Sequence, residues 1–549
     1  MSLKPQTNHA IPELTKKVAH AAFAKRDNIY MKMRDELGSI YADEQFVHLY
    51  GKRGKPAEAP ANLAMVTLFQ YVEDLSDRAA ADAVRSRIDF KYALGLALDD
   101  EGFDYSVLSK FRKRLLEEGD EDLLFTTMLT KLKETGLLKA GGKQRTDSTH
   151  IVAAIRALNR LVLVGETMRA ALEAVATVAP AWLQSVAPAD WYKKYGKPVH
   201  EYKMPKDKAK RETRAREIGA DGLELLTCIY EDVDMRWLHN IDAVDALRRI
   251  WIEQFYDDGN GHLMWRTKQD QPRAGEQIIS PYDLAARHGQ KRRTRWMGYK
   301  VHLTERCEPD APRLITHVET RPAPESDTNA TADIHAALHD KGLLPEQHIV
   351  DSGYIAAHHI VEAQTQHGVE LLGPIQPDSS WQAKNPDAFD QSRFEYDWQA
   401  QQVTCPEGQT NIFWKERTEN NHRVVDVQFH GKTCQACPSR TLCTTSKKGR
   451  CLTIRPQLEF EALVERRRFQ QTDAFHEQYA VRAGVEGTMS QSANPFGMRR
   501  SRYRGHAKTH FQHLATATAI NLKRAANWLF GYSTAETRVT RFAALALAA

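Results

Sequence analysis

The strongest constraint on the fold is a change in the spacing of apolar residues after residue 140. Before that point apolar residues recur with a helical period, as in residues 61–75, and the paired glycines Gly141 and Gly142 end this pattern. Helical stretches then alternate with extended ones, which are residues 144–152, 297–305, 313–320, 347–351 and 369–376. With two insertions set aside, the element order is β-β-β-α-β-α-β-α. This order predicts an α/β fold in which helices flank a mixed sheet.

The first 140 residues are predicted to form an all-α domain. Its helices are short, and one of them, residues 106–119, is basic because it carries Lys110, Arg112 and Lys113. Short helices joined by tight turns suit a DNA-binding module of the helix-turn-helix kind. A helical packing or dimerisation domain fits the same pattern equally well.

Two stretches interrupt the predicted sheet. Residues from about 155 to 280 return largely to helical spacing and predict a helical insertion after the first strand. Residues 377–455 are polar and turn-rich, hold five of the seven cysteines, and predict a second insertion before the last helices. The α/β core is then expected in residues 141–376, with its C-terminal helices in residues 456–549.

Bulk properties describe an ordinary globular chain. The 549 residues carry a net charge of only +5, so the placement of charge matters more than its sum. No apolar run approaches the roughly 18 residues that a membrane span needs, and the N-terminus lacks the apolar segment of a signal peptide. We therefore expect a cytoplasmic protein without a membrane partner.

Three carboxylates occupy positions where predicted elements meet. Asp147 lies inside the first strand, Asp351 ends another strand, and Glu486 lies on a later helix. Carboxylates gathered together repel each other, and Mg²⁺, which prefers oxygen ligands, relieves that repulsion. Two such ions can activate a nucleophile and stabilise a leaving oxygen at phosphorus. Each aspartate alone is equally compatible with a turn or helix-capping residue.

The residues before Glu486 form a stripe. Tyr479, Arg482 and Glu486 are spaced i, i+3 and i+7, which places them on one face of a single predicted α-helix. A solvated face with a loose ion pair is the ordinary explanation of such a stripe. The expected position of this stripe beside the other two carboxylates favours a functional explanation.

Motifs along most of the chain resemble those of a known family. These are the N-terminal "NLAMVTLFQYVEDLSDRAAADAVRSRIDF", "TDSTHIVAAIRALNRL" around Asp147, "TRWMGYKVHLTE", "IVDSGY" around Asp351, and the Y-x₂-R-x₃-E pattern ending at Glu486. Together they resemble the DDE transposases of bacterial insertion sequences, whose catalytic core is RNase H-like.

The resemblance implies roles for individual residues. Asp147, Asp351 and Glu486 would be the ligands of Mg²⁺ or Mn²⁺, and Tyr479 and Arg482 would contact or orient DNA phosphate. The family signature continues with a lysine seven residues after the glutamate, where this chain has Ala493. The nearest cations after it are Arg499 and Arg500.

Four cysteines of the second insertion could bind zinc. Cys434 and Cys437 form a C-x₂-C pair, Cys443 follows six residues later, and Cys405 precedes a turn. Four thiolates would suit a tetrahedral structural Zn²⁺, with His430 as a substitute ligand. Because a second C-x₂-C pair is missing, free thiols in a β-rich insertion are an equal alternative.

Two basic stretches flank the predicted site. Residues 498–508 include Arg499, Arg500, Arg502 and Arg504, and residues 291–295 read "KRRTR" before the predicted β-hairpin. Clustered cations bind the phosphates of nucleic acids, although a solubilising surface has the same composition.

Taken with the resemblance, these features predict a transposase that cleaves DNA at the ends of an insertion sequence and joins them to target DNA. Its partners would be double-stranded DNA, both terminal inverted repeats and target, and a second protomer or more in a synaptic complex. An RNase H-like nuclease without strand transfer and a domesticated, inactive DNA-binding protein are the alternatives.

Overall fold

The structure is a computed structural model that describes residues 1–6, 10–532 and 545. The end of the predicted C-terminal segment, residues 533–544 and 546–549, lies outside the described residues. No helix in the described part of the chain is long and apolar enough to cross a membrane.

The N-terminal part is helical, as the apolar spacing predicts. Ser76 begins one helix by accepting a hydrogen bond from the backbone N–H of Ala79, 3.2 Å away, so its hydroxyl satisfies a free donor of the first turn. A 3₁₀ helix, Asp43–Leu49, joins the second and third α-helices. The α-helices are α1 Glu13–Ala22, α2 Ile29–Leu37, α3 Pro60–Glu73, α4 Asp77–Ser86, α5 Ile88–Leu94, α6 Ser106–Glu117 and α7 Leu123–Glu134.

The first strand, β1 (Lys143–Val152), lies in the middle of a sheet and is followed by a helical region. That region consists of α8 Arg160–Val178, α9 Pro180–Val186, α10 Ala189–Tyr195, α11 Lys208–Glu231 and α12 Asp242–Gln254, with a hairpin of β2 Phe255–Asp257 and β3 Leu263–Trp265. Its apolar residues, among them Val164, Leu225 and Trp251, form a hydrophobic cluster of their own. The expected helices are present, and the short hairpin was not foreseen.

The main sheet has six strands. Five have the order β4-β5-β1-β7-β8, and β6 pairs with residues 299–305 of β5, next to residues 294–298, which pair with β4. β1 runs antiparallel to β5 and parallel to β7, which is parallel to β8. This mixed sheet with flanking helices is consistent with the RNase H-like fold. The elements are β4 Arg287–Lys291, β5 Thr294–Arg306, β6 Ile315–Pro322, α13 Ala330–Asp340, β7 Gln347–Ile349, α14 Ala357–His367 and β8 Glu370–Leu372.

"KRRTR" takes part in a hairpin that the sequence pattern did not predict. Residues 291–295 precede the β5–β6 hairpin and span the end of β4, a turn at Arg292 and Arg293, and the start of β5, with Arg292 at φ 54°. Gly298 is required where β5 leaves this turn, because its φ is 144° and an added Cβ would lie 2.3 Å from the carbonyl oxygen of Ile151 on β1.

The segment with the cysteines contains short strands and short helices. Two small sheets form, one from two strands and one from three, over a third apolar cluster that includes Val425, Val427 and Leu452. The elements are α15 Trp381–Lys384, β9 Glu395–Asp397, β10 Gln402–Thr404, β11 Asn411–Glu419, β12 His422–Phe429, α16 Gly431–Ala436, α17 Arg440–Cys443 and β13 Cys451–Ile454.

The remaining helices are α18 Gln457–Phe469, α19 Asp473–Ala480, α20 Val485–Ala493 and α21 His506–Leu529. The prediction of one continuous helix through Tyr479, Arg482 and Glu486 is wrong in detail. A 3₁₀ segment, Val481–Gly484, lies between α19 and α20, so the three residues belong to three consecutive helical segments. α21 packs against both β6 and α3, and one apolar cluster therefore runs from the N-terminal helices to the sheet.

Candidate active site

Asp147 and Asp351 converge because β1 and β7 are parallel neighbours. Their register pairs Arg145 with Ile349, so each aspartate lies two residues beyond that pair and on the same face of the sheet. Both reach one guanidinium: Arg482 Nη2 is 3.0 Å from Asp147 Oδ2 and 3.8 Å from Asp351 Oδ2. The structure therefore gathers two of the three predicted carboxylates around one positive charge.

Short local contacts hold the two aspartates. Asp147 Oδ1 accepts a hydrogen bond from the N–H of Ser148 at 2.8 Å, and Asp351 Oδ1 accepts one from the N–H of Gly353 at 2.7 Å. The loop after Asp351 is anchored by Tyr354, whose hydroxyl lies 2.6 Å from Nδ1 of the buried His302. Burial lowers the pKa of His302 to about 4, so its ring is neutral at physiological pH.

The electrostatics of the pair favour a bound cation. Burial is the main cause that raises the pKa of Asp147; repulsion from Asp351 adds to it, and Arg482 opposes it. The side chains of Asp147 and Arg482 are only 15% exposed, so water screens these charges weakly. Two oxygen donors in such a place suit the hard cation Mg²⁺.

Glu486 is not drawn into this cluster. It lies in the first turn of α20 and is exposed, and the three carboxylates are not all within 4.8 Å of one another among the described residues. Its role as a third ligand stays a prediction. Tyr479 is half-buried and stacks on Phe475 at 5.4 Å, and burial raises its pKa.

A buried ionic network holds the Arg482 segment against the sheet. Glu305 of β5 accepts from Nε of Arg145 at 2.8 Å, from Arg524 at 2.7 Å and from the hydroxyl of Thr488 at 2.5 Å. Arg145 also donates to the carbonyl oxygen of Val481 at 2.5 Å. The network thus connects β1 and β5 to the 3₁₀ segment, α20 and α21.

Gly484 is part of the same contact. A Cβ at this position would lie 2.2 Å from Nη1 of Arg145, so the guanidinium packs directly over the glycine backbone. The close approach places Arg482, two residues earlier, beside the aspartates.

Sequence reasoning missed a further pair at this site, Lys300 and Asp327. Lys300 Nζ lies 2.7 Å from Asp327 Oδ1, and the hydroxyl of Ser148 donates to Asp327 Oδ2 at 3.3 Å. An added Cβ on Gly353 would be 2.9 Å from Asp351 Oδ1 and 3.5 Å from Asp327 Oδ2. Asp327 therefore borders the aspartate pair, although in sequence it resembles an ordinary residue at a helix start.

The arginines after α20 lie beside the end of β1. The N–H of Val152 donates to the carbonyl oxygen of Arg499 at 2.8 Å, and the N–H of Ser501 donates back to Val152 at 2.9 Å. Thr149 of β1 lies 3.4 Å from Nε of Arg499. Arg499 and Arg500 are exposed and lie beside the end of the strand that carries Asp147.

A groove of about 500 Å³ separates α6 from the start of α21. It is lined by the exposed cations Lys110, Lys113 and Lys508, together with Tyr503 and Phe511. Nearby, Arg502 pairs with Asp74 and lies 4.7 Å above the ring of Tyr71, and Arg504 lies 5.1 Å above the ring of Tyr282. Arg502 and Arg504 are exposed, like the three lysines of the groove.

Arg112 also borders this groove but is not one of the exposed cations. It is 8% exposed, and its guanidinium donates to Asp77 at 2.6 Å and to Gln70 at 3.3 Å. The guanidinium thus joins α6 to α3 and α4, and its role as a DNA contact stays a prediction.

The four cysteines predicted as zinc ligands surround one cavity. Cys405, Cys434, Cys437 and Cys443 line a space of about 230 Å³, together with His430. The N–H of Gln409 donates to Cys405 Sγ at 3.3 Å, and burial raises the pKa of Cys443 to about 11, with smaller contributions from the other three thiols. No three of these thiols lie within 4.8 Å of one another in the described chain.

Two parts of the chain match models of transposase domains. Residues 404–526 match the Transposase DDE domain, and residues 19–114 match the Transposase domain (DUF772). No curated protein and no solved structure matches the chain. The first match includes the cysteines and Glu486, and the second includes most of the N-terminal helices. These matches indicate a transposase function and an enzyme that acts on DNA.

Proposed function

We propose that the protein cleaves DNA at the ends of an insertion sequence and transfers the freed 3′ ends to target DNA. The observation that carries the proposal is the convergence of Asp147 and Asp351, from the parallel strands β1 and β7, on Arg482. Arg482 lies one turn before Glu486, within the segment that matches the Transposase DDE domain.

Divalent metal fits the donors of this site. Asp147 and Asp351 would hold Mg²⁺ or Mn²⁺ through carboxylate oxygen, with Glu486 as the third ligand. When bound, the metal would activate the attacking oxygen and stabilise the leaving oxygen at phosphorus. The positive charge of Arg482 between the two aspartates supports this assignment, because it occupies the position where a cation is needed.

The side chains of the protein would bind and orient the DNA. Arg482 carries a planar fork of donors that matches a phosphate as well as a carboxylate. Tyr479 is the second predicted phosphate contact beside the site. Lys110 and Lys113, with Arg499, Arg500, Arg502 and Arg504, would neutralise backbone phosphates, which positions the duplex without reading its sequence.

We also propose a structural Zn²⁺ held by Cys405, Cys434, Cys437 and Cys443. The shared cavity and the N–H donated to Cys405 Sγ support it, although the thiols must approach one another to bind one ion. Metal analysis of the purified protein tests this assignment. Protein that is free of zinc and keeps its fold would contradict it.

Strand transfer needs two DNA ends in one complex, so we propose a homodimer or a larger assembly. The experiment that tests the whole proposal uses the inverted repeats that the proposal predicts in the genomic DNA on either side of the gene. A labelled repeat is incubated with the protein, Mg²⁺ and a target plasmid.

The proposal predicts both nicked repeats and repeats joined to the plasmid. Cleavage without joining would identify a nuclease, and binding without cleavage would identify an inactive DNA-binding protein. Either of these results would overturn the proposed activity.

A further inference from the structure

A second cluster of metal-binding side chains lies outside the carboxylate site, on α14. His358, His359 and Glu362 each offer one ligand atom, and these atoms all lie within 4.8 Å of one another. Glu362 follows the two histidines by four and three residues, so one helical turn brings the three side chains together. His359 is buried and the other two are half-buried.

Two other elements bring donors to the same place. The ring centroid of His422, the first residue of β12, lies 4.7 Å from that of His358. Glu459 of α18 interacts electrostatically with His422 and Glu362, and its Oε2 is buried without a hydrogen-bond partner. Buried carboxylate oxygens are costly unless a cation or a donor satisfies them.

Charges of both signs surround the cluster. Arg455 interacts with both His358 and Glu459, and Arg423 also interacts with Glu459. Because Arg423 pairs with Glu416 at 2.6 Å, Arg455 is the main cation that faces the two glutamates of the cluster. Imidazole nitrogens combined with one or two carboxylate oxygens suit Zn²⁺ and its neighbours in the first transition row, whereas Mg²⁺ prefers oxygen alone.

We propose that His358, His359, Glu362 and His422 bind one Zn²⁺ ion, with Glu459 as an additional oxygen donor. The ion joins three elements that are distant in sequence: α14, the β11–β12 hairpin and α18. Because the loop that carries Asp351 leads directly into α14, the metal fixes the cysteine-bearing segment against the helix that follows a catalytic aspartate. This site is separate from both the proposed magnesium site and the four cysteines.

Cobalt tests this site, because Co²⁺ replaces Zn²⁺ and its absorption reports the ligands. The full chain is stripped of metal and titrated with Co²⁺, without DNA. Co²⁺ bound by thiolates absorbs in the near ultraviolet through charge transfer, whereas Co²⁺ bound by histidine and carboxylate does not. The number of Co²⁺ ions at the histidine site is therefore obtained from the visible absorption that appears without a near-ultraviolet band. The double variant His358→Asn/His359→Asn is compared with His339→Asn, an exposed histidine on α13.

The double variant should bind one Co²⁺ fewer than the natural chain, and His339→Asn should bind the same number. Equal stoichiometry in all three proteins would overturn the proposal. If the double variant does not fold, Glu362→Gln tests the site instead. This side chain is half-exposed and changes only in charge, so the variant should fold. It should weaken Co²⁺ binding at least about tenfold, and an unchanged affinity would refute the site.

His422→Asn tests the connection to the hairpin. This variant should weaken Co²⁺ binding, and it should remove the protection from hydrogen exchange that the metal gives to β11 and β12. Metal-dependent protection that survives the substitution would disprove the role of His422. None of these readouts uses cleavage or strand transfer, so the result is independent of the proposed transposase activity.

Discussion

Arg482 is the residue on which both aspartates depend. Two carboxylates that face one guanidinium are held in place by its charge, and without it they would repel each other across a weakly screened space. Arg482 Nε is itself buried without a hydrogen-bond partner, so one donor of the fork remains for another acceptor. A phosphate oxygen is the acceptor that the proposed function supplies.

Glu486→Gln tests the third metal ligand. We expect it to abolish cleavage and to leave end binding nearly unchanged, because glutamine keeps the shape and loses the charge that holds the metal. Glu477→Gln, on an exposed position of α19, is the matched control and should cleave normally. Cleavage and gel-shift assays at fixed salt provide both measurements. A Glu486→Gln protein with full activity would refute the three-carboxylate mechanism.

Arg482→Ala should slow cleavage without eliminating it. Loss of a charge-assisted hydrogen bond to phosphate costs about 1.5–3 kcal/mol, which corresponds to a rate roughly ten- to a hundredfold lower. Arg482→Lys keeps the charge without the planar fork of donors, so its cleavage rate should lie between those of the natural chain and Arg482→Ala. Single-turnover cleavage rates in Mg²⁺ measure the series, and normal rates for Arg482→Ala would return this residue to a purely electrostatic role.

The raised pKa of Asp147 makes both stability and metal binding depend on pH. Because the folded protein holds this proton more tightly than the unfolded chain, metal-free stability decreases as pH rises between the unfolded and folded pKa. Protons and Mg²⁺ compete for the carboxylate, so stabilisation by Mg²⁺ should increase over the same interval. At 100 times the dissociation constant it reaches about 2.7 kcal/mol.

Asp147→Asn checks this account. In thermal melts with and without Mg²⁺, the variant should lose the metal-induced increase in melting temperature while its metal-free melting temperature does not fall. An equal response to Mg²⁺ in both proteins would show that Asp147 does not bind the ion.

At the level of elements, the network around Glu305 determines where the Arg482 segment lies. Glu305→Gln leaves Arg145 and Arg524 buried without their counter-charge, and breaking such a buried pair costs about 3–5 kcal/mol. Glu416→Gln removes one partner of the exposed pair with Arg423 and should cost less than about 1 kcal/mol. Chemical denaturation measures both changes. A loss below 1 kcal/mol for Glu305→Gln would contradict the network.

The sequence predicts the elements better than their contacts. The strands around Asp147, Asp351 and the β5–β6 hairpin follow from alternation, whereas the shared position of the two aspartates depends on the register of β1 with β7. Asp327 could not be recognised, since Asp before a helix is common as a cap. The 3₁₀ segment Val481–Gly484 contacts Arg145 through Gly484 and the carbonyl oxygen of Val481, and such a tertiary contact is not visible in the local sequence.

The spacing of apolar residues in α6 already indicates that Arg112 is buried. Leu108, Phe111 and Leu115 of α6 form the buried stripe, and position 112 completes its i, i+3, i+4, i+7 spacing. Lys110 and Lys113 fall outside that stripe and are exposed. The same spacing argument that predicted the helix therefore also separates the buried Arg112 from the two exposed lysines.

At the scale of the whole molecule, the groove between α6 and α21 predicts a salt-dependent interaction with DNA. Lys110→Ala/Lys113→Ala/Lys508→Ala should weaken end binding and reduce the slope of log affinity against log salt by up to about 3, since each phosphate contact contributes roughly 0.9. Lys432→Ala/Lys447→Ala/Lys448→Ala, in the cysteine-bearing segment, removes equal charge and serves as the control. Equal slopes for the two triple variants would exclude the groove as a DNA path.

The packing of α3 against α21 can form only late in the synthesis of the chain. α3 begins at residue 60 and α21 at residue 506, and they share one apolar cluster. A ribosome that adds about 5–20 residues per second needs roughly 20–90 s to make the intervening chain. During that interval α3 packs against its N-terminal neighbours α4 and α6, but the part of its apolar face that meets α21 stays uncovered until the cluster can close.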